Sequence, residues 1–338
     1  MIRIFFLCQL LALGLITSSK AANPKYLFKL ATLAPEGSNW VTVMRAIDRE
    51  IRAQTEGEVG FKIYPGGVQG GEIVILRKMR IGQLHGGGFG ALGTSQIFPD
   101  IRALEIPFLF NSYEEIDYIL EQMEPFYQQG YEENGYVLLG WADIGFIHIL
   151  SKQPVAGLQD IKGLKVWRLE NEPITAVLFH KADVTSVPLT IPDVLLGLQT
   201  NLIDVAYASP AAAIVLQWFS RVKYLTELPI NYTLGTLLVS KKAFYRLSVP
   251  HQEALRQIAK KHMLQQITKS RQENTEALQV MRDQGIEFVA MSATEVQAFK
   301  TLVDESVPEL VGTALSQQSY DQIKSHLRNF RRQFTPPK

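Results

Sequence analysis

The stretch YLFKLATLAPEGSNWVTVMRAIDREI, Tyr26 to Ile51, decides the fold class. Tyr26 to Thr32 reads as a strand that runs into a loop, Leu33 to Gly37. From Ser38 the period changes. Trp40, Val43, Met44, Ile47 and Ile51 recur at helical spacing, and Ser38 stands where an N-cap is needed. Gly60 to Tyr64 is a second strand, stopped by Pro65 and the loop Gly66 to Gly71. Glu72 to Ile81 is helical again. Leu84 to Leu92 contains four glycines and reads as a strand closely packed by other backbone. Strands alternating with helices predict βαβ units and a mostly parallel sheet.

The second half follows the same logic. Tyr136 to Trp141 and Gly145 to Leu150 read as strands, and Leu164 to Arg168 as a short one. Ile174 to Lys181 is helical. Val184 to Val187, Ile203 to Tyr207 and Thr233 to Val239 add strands. Pro250 to about Arg282 is one helical pattern without an internal glycine or proline. Leu255, Ile258, Met263, Ile267, Leu278 and Met281 are its apolar positions. Such a helix far exceeds the mean of about 11–12 residues and can span two domains. Helical segments around Ala293–Leu310 and Tyr320–Phe330 follow. Arg328, Arg331, Arg332 and Lys338 form a basic tail expected to be solvated.

A length of 338 residues allows two domains and an ample core. With 46% hydrophobic and 20% charged residues, disorder is excluded. A net charge of +1 leaves no electrostatic footprint for nucleic acid. One cysteine, Cys8, excludes a disulfide framework and any cysteine-rich zinc module.

Met1 to Ala22 has the three parts of a secretory signal. Arg3 gives a positive start, Ile4 to Ile16 is almost unbroken apolar, and Ser19-Lys20-Ala21 offers small residues for cleavage after Ala21 or Ala22. The apolar run is about 13 residues, short of the roughly 20 that span a bilayer. Cleavage removes Arg3, Lys20 and Cys8, leaving a slightly acidic, cysteine-free exported product.

Several motifs carry less than they first suggest. Gly88-Phe89-Gly90-Ala91-Leu92-Gly93 spells G-x-G-x-x-G. It falls in the third expected strand, though, rather than in a turn after the first that opens a helix, so a dinucleotide site is not expected. His85, His148, His180, His251, His262 and His326 show no pair at helical spacing and no H-E-x-x-H, so no metal site is expected. No G-x-S-x-G elbow occurs, and no pair of carboxylates suggests acid–base chemistry. No cofactor is expected, and nothing in the residues signals an enzyme.

An ordered set of markers runs from about Lys29 to Leu310. Tyr64-Pro65 leads into the glycine loop and Glu72, then Ile81-Gly82. Ile106-Pro107-Phe108-Leu109 and Asp160-Ile161-Lys162-Gly163-Leu164-Lys165-Val166 follow. Gly197-Leu198-Gln199-Thr200-Asn201-Leu202-Ile203-Asp204 and Ser209-Pro210 close the set. With these the chain resembles the extracytoplasmic solute-binding proteins of TRAP transporters, the DctP type. The resemblance implies a two-lobed periplasmic-binding-protein-like α/β fold with crossing strands and a long lobe-spanning helix. Residues 23–145 plus about 236–280 would form lobe I. Lobe II would take about 146–235 plus 281–330, leaving 331–338 as the basic tail. It further implies a periplasmic receptor that closes on a solute and passes it to small and large membrane permease subunits, driven by an ion gradient. An accessory protein in the periplasm is a further partner to consider. A secreted enzyme or a sensor domain on the same scaffold are the readings of another class.

Departures from the family pattern bear on the ligand. The resemblance places a carboxylate-binding arginine where this chain has Trp167. Strand alternation sets Trp167 and Arg168 on opposite faces, and Trp167 is the one expected in the cleft. A one-residue bulge would put Arg168 there instead and give a carboxylate receptor. Ile147 stands where some relatives carry another arginine. Tyr207 and Ser209 replace amide side chains, and Phe89 replaces a small residue. The expected ligand is therefore uncharged, apolar, aromatic or lipid-like. Strand-end loops add Thr32, Ala34, Glu72, Trp141, Phe146, Ile230, Asn231 and Tyr232 to the expected wall. For Glu72, a carboxylate favoured by a helix dipole is the preferred reading over ligand contact.

Overall fold

A computed structural model describes residues 24–334. The expected signal segment, its cleavage points and Cys8 lie outside the described residues, as do residues 335–338. The chain opens with β1 (Tyr26–Thr32), α1 (Asn39–Gln54), β2 (Val59–Tyr64), α2 (Glu72–Arg80), β3 (Gly86–Phe89) and α3 (Ala91–Ile97). A 3₁₀ turn, Pro99–Glu105, leads to α4 (Tyr113–Glu133) and β4 (Tyr136–Ser151). Next come α5 (Leu158–Ile161), β5 (Val166–Leu169), α6 (Pro173–Lys181), β6 (Ser186–Leu189), α7 (Val194–Gln199), β7 (Val205–Ala208) and α8 (Pro210–Val215). The last elements are β8 (Tyr224–Thr226), β9 (Asn231–Ser240), α9 (Lys241–Phe244), α10 (Val249–Asp283), β10 (Glu287–Val289), α11 (Ala293–Leu310) and α12 (Gln317–Phe334).

The first βαβ unit forms as its pattern requires. Ser38 caps α1, its hydroxyl accepting from the Val41 amide at 3.4 Å, and Val43, Met44, Ile47 and Ile51 are buried beneath it. β1 pairs in parallel with both β2 and β3. Gly88 lets the Trp40 ring lie on β3, since a Cβ there would meet that ring at 2.7 Å.

The strands run β2-β1-β3-β9-β4-β7-β5-β6, with β8 and β10 branching from β4. β4 holds the two halves together. The sequence reads it as two strands, but it is a single strand of 16 residues. Residues from Tyr136 to Ile147 pair with β9, and His148 to Ser151 pair with β7. Bulges interrupt the β9 ladder between Leu138 and Gly140 and between Asp143 and Gly145. The bulges conceal its length from a period-two reading.

α10 runs for 35 residues along both halves. Its first turns bury Leu255, Ile258 and Met263, as expected, but its middle buries Gln266, Ser270 and Asn274. Gln266 and Asn274 satisfy the backbone that the second bulge frees, and the Ser270 hydroxyl accepts from Gln266 Nε2 at 2.8 Å. Gln266 Oε1 accepts from the Asp143 amide at 3.0 Å, its Nε2 donates to the Asp143 carbonyl at 3.1 Å, and Asn274 Nδ2 donates to the Ile144 carbonyl at 3.0 Å.

Two features differ from the expected division. No helix was foreseen at α4, where Pro125 lies inside the helix. α12 packs against α4 and the 3₁₀ turn of the first half, whereas α11 packs against α6 and α5 of the second. Residues 281–330 are thus shared between the halves. The tail is not merely solvated either. Arg331 Nε donates to Glu115 Oε1 at 2.7 Å, and its Nη2 donates to the Leu109 carbonyl at 2.8 Å. Burial pushes the Glu115 carboxyl up, but Arg331 and Asn111 outweigh it and hold it below the usual carboxylate range.

Candidate functional site

A cavity of about 570 Å³ lies where the two halves of the sheet meet. The first half contributes the starts of α2 and α3 and the 3₁₀ turn. The second contributes β5, the start of α6 and the end of β7. β4 and β9 form its back. Most of the lining is apolar, and among the described residues that line it none is lysine, arginine or histidine. The carboxyls are Glu72, Glu105, Glu170 and Glu172.

Alternation along the strands decides which expected residues arrive here. Trp167 lines the wall with Leu169, two residues on, while Arg168 does not. Trp167 is nonetheless part of the core: it is only 4% exposed. Its ring stacks on Tyr207 at 4.6 Å, meets Trp218 edge-on at 5.1 Å, and donates from Nε1 to the Leu189 carbonyl at 3.0 Å. Burial pushes the Tyr207 phenol up. Tyr207, Ser209, Ile147, Ile230, Asn231 and Glu72 also line the cavity.

The other expected residues point elsewhere. The bulge at Asp143/Gly145 shifts the face of β4, so Ile144 within it and Ile147 and Ile149 after it all reach the cavity. Phe146, on the opposite face, packs on Tyr113 at 4.9 Å and Tyr232 at 5.7 Å. Tyr232 faces away for the same reason, between Asn231 and Thr233 on β9, and donates its hydroxyl to Asp143 Oδ1. Trp141 packs edge-on against Tyr127 at 5.5 Å. Phe89 is fully buried beneath α3, where a Cβ on Gly93 would meet its ring at 2.5 Å. Thr32 turns back to accept from the Ala34 amide at 3.2 Å. Of that loop Leu33, not Thr32 or Ala34, reaches the wall.

The G-x-G-x-x-G segment does open a helix, contrary to expectation, because β3 stops at Phe89 and α3 starts at Ala91. Its amides are already occupied. The Glu72 carboxylate accepts from Gly90 N and Gly93 N, both at 2.6 Å. Burial raises the Glu72 carboxyl, and the two amides pull it back. Glu72 therefore caps α3 with its side chain while standing at the head of α2. Glu172 does the same for its own helix, accepting from Ile174 N at 2.9 Å and Thr175 N at 2.7 Å.

Glu105 differs from both. It is buried, and its Oε1 has no hydrogen-bond partner. Burial pushes its carboxyl well above the usual range, Glu172 adds to this, and Arg102 opposes it. The sequence reading passed over it, although an acid within the apolar run Leu104-Glu105-Ile106-Pro107-Phe108-Leu109-Phe110 is itself a signal. Among the described residues no cluster of His, Cys, Asp or Glu is placed to hold a metal ion.

A two-part sheet around a largely apolar cavity is an arrangement for holding a small molecule, and residues 30–312 match the model for bacterial extracellular solute-binding protein, family 7 (DctP). The chain belongs to the DctP family. Members are solute-binding receptors, and this chain is a TRAP solute receptor rather than an enzyme. A relative, YiaO of Escherichia coli, a 2,3-diketo-L-gulonate-binding periplasmic protein, is 23% identical over 71% of this chain and 73% of its own length. Solved structures of similar fold include the sugar acid binding protein DctPAm of Advenella mimigardefordensis with galactonate. Its TM-score is 0.84 at 18% identity, covering 91% of this chain and 99% of that one. A TRAP receptor of Xanthobacter autotrophicus with bound β-D-galacturonate has a TM-score of 0.83 at 18% identity, covering 89% and 99%.

Proposed function

We propose that this receptor works in the periplasm after signal cleavage and captures a small organic acid whose remaining surface is largely apolar. It would close its halves about β4 and β9 and hand the solute to the small and large permease subunits of a TRAP system, with or without an accessory protein. The observation that carries the receptor reading is the cavity of about 570 Å³ walled from both halves. The ligands of the relatives, a diketo-gulonate, galactonate and galacturonate, favour a carboxylate over the uncharged solute expected from the sequence. The apolar wall, with the stacked Trp167 and Tyr207, supports the apolar body. Arg168, the cation offered by the sequence, stands outside the lining.

The second reading is a neutral solute, and the lack of a cation in the lining is the observation that favours it. Burying an unpaired carboxylate costs several kcal/mol. Native mass spectrometry of receptor purified from its host separates the two. A co-purified organic acid supports the first reading and a neutral compound the second. A protein that carries nothing and shows no calorimetric response to galactonate, galacturonate, benzoate or benzyl alcohol sinks both.

A further inference from the structure

The cavity contains three well-buried or partnered carboxyls, and two of them are spoken for by helix amides. Glu72 and Glu172 each accept two backbone N–H bonds. Glu105 stands in the same wall with Oε1 unpartnered. A buried polar oxygen left without a partner costs about 1–3 kcal/mol, so a carboxyl in this wall that is one hydrogen bond short calls for a partner.

We propose that Glu105 is the polar anchor of the cavity, a hydrogen-bond donor to an acceptor oxygen of the solute, either a carboxylate or a carbonyl. The inference rests on the receptor reading above and adds the group that meets the solute. Its surroundings favour the protonated acid over the carboxylate. Glu172 from α6 and Glu72 from α2 are like charges, and the Tyr131 phenol from α4 lies close behind it. Arg102 on its own turn and the Thr233 hydroxyl on β9 pull the other way without prevailing. A neutral acid presents an O–H, a donor that an acidic, cation-free wall can offer an anion beside its hydroxyls and amides. An acid–carboxylate pair shares a proton and forms a short, strong bond. Asn231 steadies the anchor by donating from Nδ2 to the Glu105 carbonyl at 3.3 Å.

The sign of the pH effect follows. The donor exists while Glu105 holds its proton, so a bound carboxylate is released as pH rises through the Glu105 range. Two measurements test this. Infrared spectra of the solute-free receptor at neutral pH are expected to show the carbonyl stretch of a protonated carboxyl, absent from Glu105→Gln and kept in Glu172→Gln. Its persistence in Glu105→Gln, or its absence from the wild type, overturns the inference whether or not a solute is ever found. In native mass spectra of protein from its host, Glu105→Gln, which keeps a donor, is expected to retain solute. Glu105→Leu is expected to fold with the wild-type far-UV spectrum and lose occupancy about tenfold or more. Equal occupancy in Glu105→Leu also overturns it. A wild type that carries no solute while the infrared band is present counts against the receptor reading alone.

Discussion

Glu72 is a single residue that does two jobs, and sequence showed only one of them. Its position at the start of a helix suggested a carboxylate favoured by the helix dipole. Its partners belong to a different helix, 18 and 21 residues later. Spacing within one segment cannot reveal an acceptor that arrives through the sheet. Replacing it by alanine leaves two buried amides unpaired. Glu72→Ala is expected to lower unfolding free energy by about 2–4 kcal/mol, read from a urea transition. Glu105 gives a second prediction at this scale. Its folded pKa is raised above the unfolded value. Its contribution to stability is therefore fully present below the ordinary carboxylate range and is lost as pH rises through the folded value. Urea midpoints of the wild type should fall across that window, while those of Glu105→Gln stay level. A parallel fall in both would refute the assignment.

At the level of elements, the strand–helix alternation was legible wherever one face of an element is apolar. Tyr26–Thr32 and Ala293–Leu310 lie in the structure where the pattern put them. What escaped was the pairing of bulge and helix. A reading that counts apolar positions passes over Gln266, Ser270 and Asn274, although their spacing of four places them on one face of α10. Gln266 and Asn274 complete the hydrogen bonds of β4 where its ladder breaks, and Ser270 accepts from Gln266. Gly145 is the other half of that device. Its φ of +112° lies where only glycine is at ease, and a Cβ would come within 2.4 Å of Asn274 Nδ2. Gly145→Ala is expected to cost about 2 kcal/mol or more. Thermal unfolding would show a single lowered transition, and an unchanged one would remove the bulge from this account.

Across the whole molecule, a charged cluster ties the crossing strand to the long helix and to α4. Asp143 on β4 is 1% exposed at its side chain and accepts from Arg271 Nε of α10 at 2.6 Å. Arg271 also pairs with Asp117 of α4 and lies over the Tyr113 ring at 4.3 Å. Burial would lower the Arg271 pKa, yet its two aspartates hold it above the usual value. Arg271→Ala would strand a buried carboxylate, at about 3–5 kcal/mol. Because the cluster ties the long helix to the crossing strand, hydrogen exchange should rise at β4, α4 and α10 together. An increase confined to α10 would argue against coupling. The two-part architecture was legible from length and the long helical pattern. The sharing of residues 281–330 between the halves was not, since it depends on which surface of α4 remains open for α12.

The capped start of α3 has a bearing on which anions a receptor of this family can take up. Free amides at a helix start attract any small anion, phosphate and sulfate included. Here Glu72 has closed that seat from within. At that helix start the receptor supplies its own anion, so a free mineral ion has no seat to take there.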